Sequence, residues 1–99
     1  MVQINWTNQA VFDLKEIKDY IGRDSVFYAK KTIEKIQRRT QVLKIYPHTG
    51  KIITEIKLEN FREINEGNFR ILYKIVNENR IDILSVFHSA RNLKTESIL

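Results

Sequence analysis

The chain has 99 residues, of which 42% are hydrophobic and 29% are charged, a composition typical of one globular domain. The absence of cysteine excludes disulfides and cysteine metal sites. No apolar run approaches the roughly 20 residues that cross a bilayer, and the N-terminus lacks the pattern of a secretion signal. We therefore expect one cytoplasmic domain over residues 1–99, without membrane contact. The net charge of +5 favours a polyanionic or acidic partner.

The N-terminal region predicts a short strand and a first helix. Residues 2–6 alternate apolar and polar side chains, as a strand does. Thr7 is a suitable N-cap, and apolar residues then recur from Ala10 to Ile21 at spacings of four, three and four. Gly22 suits the C-terminus of this helix.

A second helix is predicted directly afterwards. Asp24 or Ser25 can cap it, an apolar stripe covers residues 29–43, and Pro47 and Gly50 end it. Because the connection between the two helices is only two or three residues long, they should form an antiparallel hairpin.

The second half of the chain has the period of strands rather than helices. Four strands are predicted at residues 51–57, 61–65, 68–77 and 80–88. Turns at 66–68 and 77–79 join the last three as an antiparallel meander. The order strand, helix, helix and four strands predicts an α+β fold, with the helical hairpin on one face of a mainly antiparallel sheet.

Alternation assigns the strand side chains to two faces. If the apolar sets face the helices, then Lys51, Glu55, Arg70 and His88 converge on the uncovered face. This assignment depends on regular pairing, because one β-bulge reverses the faces beyond it.

A carboxylate, an arginine and a histidine on one sheet face can cleave RNA without a metal or cofactor. Glu55 would take the proton of the ribose 2′-hydroxyl, Arg70 would bind the charged phosphate oxygens, and His88 would protonate the leaving 5′-oxygen. The alternative is a cross-strand charge ladder on a solvated sheet, formed by Glu55, Arg70 and Lys74.

Several basic residues are candidates for nucleic-acid contacts. In the second helix they recur at spacings of four and three, which suits phosphate binding or an ordinary solvated face: Lys31, Lys35 and Arg38. The remaining candidates lie in the second half of the chain: Lys51, Arg62, Lys74 and Arg91.

Four segments, in this order and spacing, resemble the RelE/ParE superfamily of toxins from bacterial type II toxin–antitoxin modules. They are AVFDLKEIKDYI (10–21), PHTGK (47–51), REINEGNFRILYKI (62–75) and ILSVFHSARNL (83–93). The resemblance implies a helical hairpin on an antiparallel sheet. It also implies a co-encoded antitoxin that wraps the toxin, for which Arg62 would be a contact or a peripheral support.

The superfamily has two activities, and the resemblance leaves both open. RelE-like members cut mRNA on the ribosome, whereas ParE-like members poison DNA gyrase. In cleaving members similar to YoeB, catalysis is carried by a glutamate, an arginine and a histidine that match Glu55, Arg70 and His88. The tyrosine that follows the histidine there is Ser89 here, and the first two segments are closer to ParE-like sequences. We take mRNA cleavage as the leading expectation and gyrase poisoning as the alternative.

Overall fold

The computed structural model describes residues 1–90, so the candidate contact Arg91 lies outside the described residues. Two helices and five strands form an α+β fold, which confirms the predicted class. The elements in chain order are β1 (Gln3–Trp6), α1 (Asn8–Gly22), α2 (Val26–Arg39), two short 3₁₀ helices (Thr40–Lys44 and Pro47–Thr49), β2 (Lys51–Ile52), β3 (Phe61–Glu66), β4 (Phe69–Asn77) and β5 (Arg80–His88). No helix within residues 1–90 is long and apolar enough to cross a membrane.

Both helices begin at side-chain caps. The Thr7 hydroxyl accepts a hydrogen bond from the Ala10 amide, and the Ser25 hydroxyl accepts one from the Tyr28 amide. Of the two residues that could cap α2, Ser25 is therefore the cap. The second helix ends earlier than predicted, at Arg39, and the chain continues as a 3₁₀ turn. The apolar stripe survives this change because a period of three keeps Thr40 and Leu43 buried on one side.

The sheet has the strand order β1-β5-β4-β3-β2, in which β1 is parallel to β5 and the other pairs are antiparallel. The main core lies between this sheet and the helical hairpin, and Tyr73 is its largest fully buried side chain. A second, smaller cluster occupies the opposite face, where four buried side chains pack together: Ile53, Phe61, Leu72 and Phe87.

The predicted strand at 51–57 is wrong beyond Ile52. Lys51 and Ile52 pair with β3, and the Ile53 amide makes a last hydrogen bond to the carbonyl of Phe61. The amides of Ile56 and Lys57 then both donate to the carbonyl of Ile53 in a turn. Ile53 is fully buried in the smaller cluster, so the chain leaves the edge of the sheet and folds over its second face. Lys57 completes the turn with a positive φ of 60°.

A β-bulge at Leu84 changes the faces of β5. Tyr73 lies opposite Ile83, but Leu72 lies opposite Ser85, which leaves Leu84 as an extra residue. Beyond the bulge, Val86 packs in the helix-side core and Phe87 packs in the cluster on the other face. The assignment of His88 to the face of Arg70, which assumed regular pairing, is therefore wrong.

The carboxylate of Asp13 in α1 stabilises this bulge. Its Oδ2 accepts hydrogen bonds from the Ser85 hydroxyl at 2.7 Å and from the Val86 amide at 3.0 Å. Gln9 donates to its other oxygen at 2.8 Å. One side chain thus connects the first helix to the irregular point of β5.

Candidate functional site

The sheet face away from the helices carries four charged residues that contact one another in the order Lys51, Glu63, Arg70 and Glu55. Arg70 Nε donates to Glu63 Oε2 at 2.5 Å, and its two terminal nitrogens donate to the two oxygens of Glu55 at 3.1 Å each. Lys51 Nζ lies 3.8 Å from Glu63 Oε1. The side chains of Glu63 and Arg70 are 3% and 14% exposed, so the pair is largely removed from water. We call these four residues the ion cluster.

The residues of the ion cluster satisfy one another electrostatically. The hydrogen bonds that Arg70 donates to Glu55 and then to Glu63 raise the pKa of its guanidinium, and the hydrogen bond from Arg70 is the main cause that lowers the pKa of Glu55. Arg70 has five N–H donors, of which these contacts use three, and its guanidinium lies 5.2 Å from the centre of the Phe87 ring. Because two positive and two negative charges are paired, the cluster has no net charge to offer a phosphate.

Glu63 is the member of the cluster that sequence reasoning missed. The strand register places it directly opposite Lys51 and Leu72, two residues of the uncovered face. The available signal was its place in a short strand, two residues after Phe61 and directly before Ile64, both of which are apolar and buried. A carboxylate buried among such residues requires a cationic partner.

His88 lies apart from the ion cluster, on the helix side of the sheet. It is paired with Phe69, and the two rings meet edge to face with centroids 5.8 Å apart. Its Nδ1 accepts a hydrogen bond from the Ala90 amide at 3.1 Å, and the residue is exposed. The structure therefore brings Lys51, Glu55 and Arg70 together, as predicted, and does not bring His88 to them.

His88 instead lines a groove of about 990 Å³ between the helices and the end of the sheet. We call this the helix-side groove. Phe69 and Val86 contribute apolar surface to it, and its charged lining consists of one cation and three carboxylates: Lys35, Asp13, Glu16 and Glu66. On α1 the groove is bordered by Phe12 and Tyr20, which are 55% and 70% exposed. An open groove with large exposed aromatic side chains suits a peptide better than a small molecule.

The remaining basic candidates differ in what their side chains already contact. Arg62 donates to the backbone carbonyls of Glu59 and Gly50 at 2.9 Å each, so it holds the loop on either side of β2. Lys74 Nζ lies 5.3 Å from the centre of the Phe61 ring, on the face of the ion cluster.

Within residues 1–90, no three His, Asp or Glu side chains lie together as a metal site requires.

Residues 4–93 match the family model of the ParE toxin of the type II toxin-antitoxin system parDE. The chain belongs to this family. Toxin RelE2 of Caulobacter vibrioides is 29% identical over 91 residues, which cover 92% of this chain and 99% of the relative. The resemblance of the sequence to the RelE/ParE superfamily is thus confirmed, and the chain is a toxin of a type II toxin–antitoxin system.

Solved structures of such systems share the fold of this toxin. The chromosomal ParDE system from P. aeruginosa superposes with a TM-score of 0.71 at 21% identity, covering 89% of this chain and 96% of the other. The RelBE2 toxin–antitoxin complex from Mycobacterium tuberculosis gives 0.57 at 26% identity, with 92% and 97% covered. The YoeB dimer from Staphylococcus aureus gives 0.60 at 20% identity, with 88% and 97% covered.

Proposed function

We propose that this toxin arrests growth as a poison of DNA gyrase, without cleaving RNA, and that a co-encoded antitoxin neutralises it. This reverses the order of the two expectations drawn from the sequence. The observation that carries the proposal is the separation of His88 from an arginine and a glutamate that are already paired with each other.

The ion cluster is poorly suited to the cleavage of RNA. A general base needs a pKa near the working pH, but both oxygens of Glu55 accept from Arg70, and that contact lowers its pKa. A phosphate that bound the end of the guanidinium through both terminal nitrogens would have to displace Glu55. The acid that should protonate the leaving oxygen, His88, lies on the other side of the sheet.

Membership of the ParE family supports gyrase as the target. The resemblance associates ParE-like members with gyrase, and the tyrosine of the cleaving members is Ser89 here. The rival function, mRNA cleavage on the ribosome, is favoured by the exposure of His88 and by its place one residue from Phe87, which packs under Arg70. Ribosomal RNA would then have to release Glu55 and bring the histidine to the same phosphate.

The helix-side groove is the surface we assign to the antitoxin. Its exposed aromatic border suits the apolar side of an amphipathic segment, which would bury Phe12 and Tyr20. Phe12→Glu should therefore leave a toxin that arrests growth in the presence of the antitoxin. Val11→Glu is the matched control, because Val11 is 53% exposed but does not line the groove. Equal neutralisation of both variants would contradict this assignment.

The target is tested by inducing the toxin and following nucleic acids directly. We expect intact messages in a map of mRNA 5′ ends, together with induction of the DNA-damage response and trapped gyrase–DNA cleavage complexes. Cleaved messages with 2′,3′-cyclic phosphate ends, formed on ribosomes in EDTA and absent on a 2′-deoxy substrate, would overturn the proposal in favour of mRNA cleavage.

A further inference from the structure

We propose that the exposed ridge of α2 binds the phosphate backbone of duplex DNA. The ridge is formed by Phe27, Lys31, Lys35 and Arg38, and we call it the α2 ridge. The choice of DNA rests on the proposed function, because a gyrase poison acts where gyrase holds a duplex. The inference adds a direct nucleic-acid contact to a toxin whose proposed target is a protein.

The spacing and exposure of the four residues define a continuous surface. Spacings of four, four and three place them on one side of the helix, one turn above another. All four side chains are exposed, and Phe27 is 66% exposed. Lys31 Nζ lies 5.6 Å from the centre of the Phe27 ring, so a cation–π contact helps to position the ammonium group of Lys31.

The positive charge of the α2 ridge is not neutralised within the described part of the chain. The ion pairs found within residues 1–90 involve the cations Lys51, Arg70 and Arg80, all of them in the sheet. Between residues 26 and 39 the sequence has five Lys and Arg residues and one acidic residue, Glu34, which gives this helix a net charge of +4. An unneutralised cationic surface of this kind is complementary to a polyanion.

The length of the ridge suits a DNA backbone. Lys31 and Arg38 are seven residues apart, or roughly 10 Å at 1.5 Å per residue. Phosphates of one strand follow each other at about 3.4 Å along the helix axis, so three cations can contact neighbouring phosphates. Since the ridge consists of charges and one phenyl ring, the binding should be independent of base sequence.

Fluorescence anisotropy of the purified toxin with a labelled duplex of about 20 base pairs tests the inference without gyrase. Three phosphate contacts predict that raising monovalent salt from about 50 to 200 mM weakens binding roughly 40-fold. Lys31→Glu/Lys35→Glu should bind more weakly and retain only about a 3- to 4-fold salt effect, because each lost contact removes about one from the slope. A thermal melt establishes that each variant is folded.

Lys15→Glu/Lys18→Glu is the charge-matched control, because both lysines are exposed on α1 and neither lines the groove beside Lys35. Loss of affinity and slope confined to the ridge variant supports the inference. Equal effects of the two variants, or an unchanged slope in the ridge variant, would overturn it. An acidic antitoxin as the ligand of the ridge would also overturn it, and would appear as lost neutralisation with unchanged DNA binding.

Gyrase trapping separates this inference from the proposed function. If wild-type toxin traps cleavage complexes and the ridge variant traps them equally with unchanged anisotropy, the ridge inference fails and gyrase poisoning stands. If wild-type toxin binds DNA through the ridge but traps no complexes, gyrase poisoning fails and the DNA contact stands.

Discussion

The ion cluster and the α2 ridge use cationic side chains in opposite ways. In the cluster, Arg70 is largely buried and lies between two carboxylates. On the ridge, Lys31 and Lys35 are exposed, and no ion pair within residues 1–90 involves them. Buried charges must be paired to be tolerated, so Arg70 and Glu63 each require the other, whereas exposed charges remain available to a partner. Two of the three residues that looked catalytic in the sequence, Glu55 and Arg70, are thus already paired with each other.

The largest expected effect is the loss of folding stability when the buried ion pair of the cluster is removed. Glu63→Ala removes the buried partner of Arg70 and should lower the free energy of unfolding by about 3 kcal/mol, measured by urea denaturation. Glu59→Ala is the control, because that glutamate is exposed in the loop before β3. Adding Arg70→Met to Glu63→Ala should recover part of the loss, since the charges that then remain unpaired, on Lys51 and Glu55, are solvent-accessible. Equal stability of the Glu63 and Glu59 variants would refute a structural role.

The β5 bulge that places His88 away from the ion cluster should depend on Asp13. Asp13→Ala leaves the Val86 amide and the Ser85 hydroxyl without their carboxylate and should cost about 2 kcal/mol. Asp19→Ala, at an exposed position of the same helix, should lower the free energy of unfolding by less than about 0.5 kcal/mol. The same unfolding experiment checks both, and similar values for the two would argue against the contact.

A smaller effect is expected at Tyr73, which holds the loop before the cluster. Its buried hydroxyl accepts from the Gly50 amide at 2.9 Å and donates to the Pro47 carbonyl at 2.7 Å. Tyr73→Phe should therefore cost about 1 to 2 kcal/mol. Tyr46→Phe, at a side chain that is 63% exposed, should leave the melting temperature unchanged. No difference between the two variants would show that the hydroxyl contacts carry no stability.

The smallest effect concerns the exposed edge of the cluster and is visible through pH. Arg70 lowers the pKa of Glu55 below its reference value of 4.5, so the pair stabilises the fold above that pH and ceases to do so as the pH falls through the folded-state pKa. Because Glu55 is about one-third exposed, the contribution should stay below about 1 kcal/mol. Wild type should exceed Glu55→Gln in stability at pH 7, and the difference should disappear in acid. A difference that is constant with pH would contradict this account.

Much of the fold could be predicted from local sequence signals. Thr7 and Ser25 are caps by their chemistry, and alternation identified the three strands that follow residue 60. The length of β2 was predicted wrongly at Ile53. An apolar residue in an alternating pattern can also belong to a turn that packs on the face of the sheet, as Ile53 does in the smaller cluster. Alternation of apolar and polar residues shows which side chains are buried in a strand, but it does not show which part of the molecule packs on them.

The candidate site was predicted less well because it depends on one irregular residue. A bulge residue such as Leu84 cannot be recognised from the sequence of an apolar strand. This bulge nevertheless places His88 on the face of the sheet opposite to Arg70. Its stabilising partner, Asp13, lies 73 positions before Val86, beyond the reach of any local pattern. Membership of the family, by contrast, was carried by whole segments and did not depend on the bulge.

Plating efficiency under induction of Glu55→Gln/His88→Ala tests the central claim most directly. Both residues are exposed, so the double variant should fold as the wild type does, with a melt as the check. If neither residue takes part in chemistry, induction of the double variant should arrest growth as strongly as induction of the wild-type toxin. Growth restored by a folded double variant, with intact messages where the wild-type toxin leaves cleaved ones, would contradict the account and return catalysis to these residues.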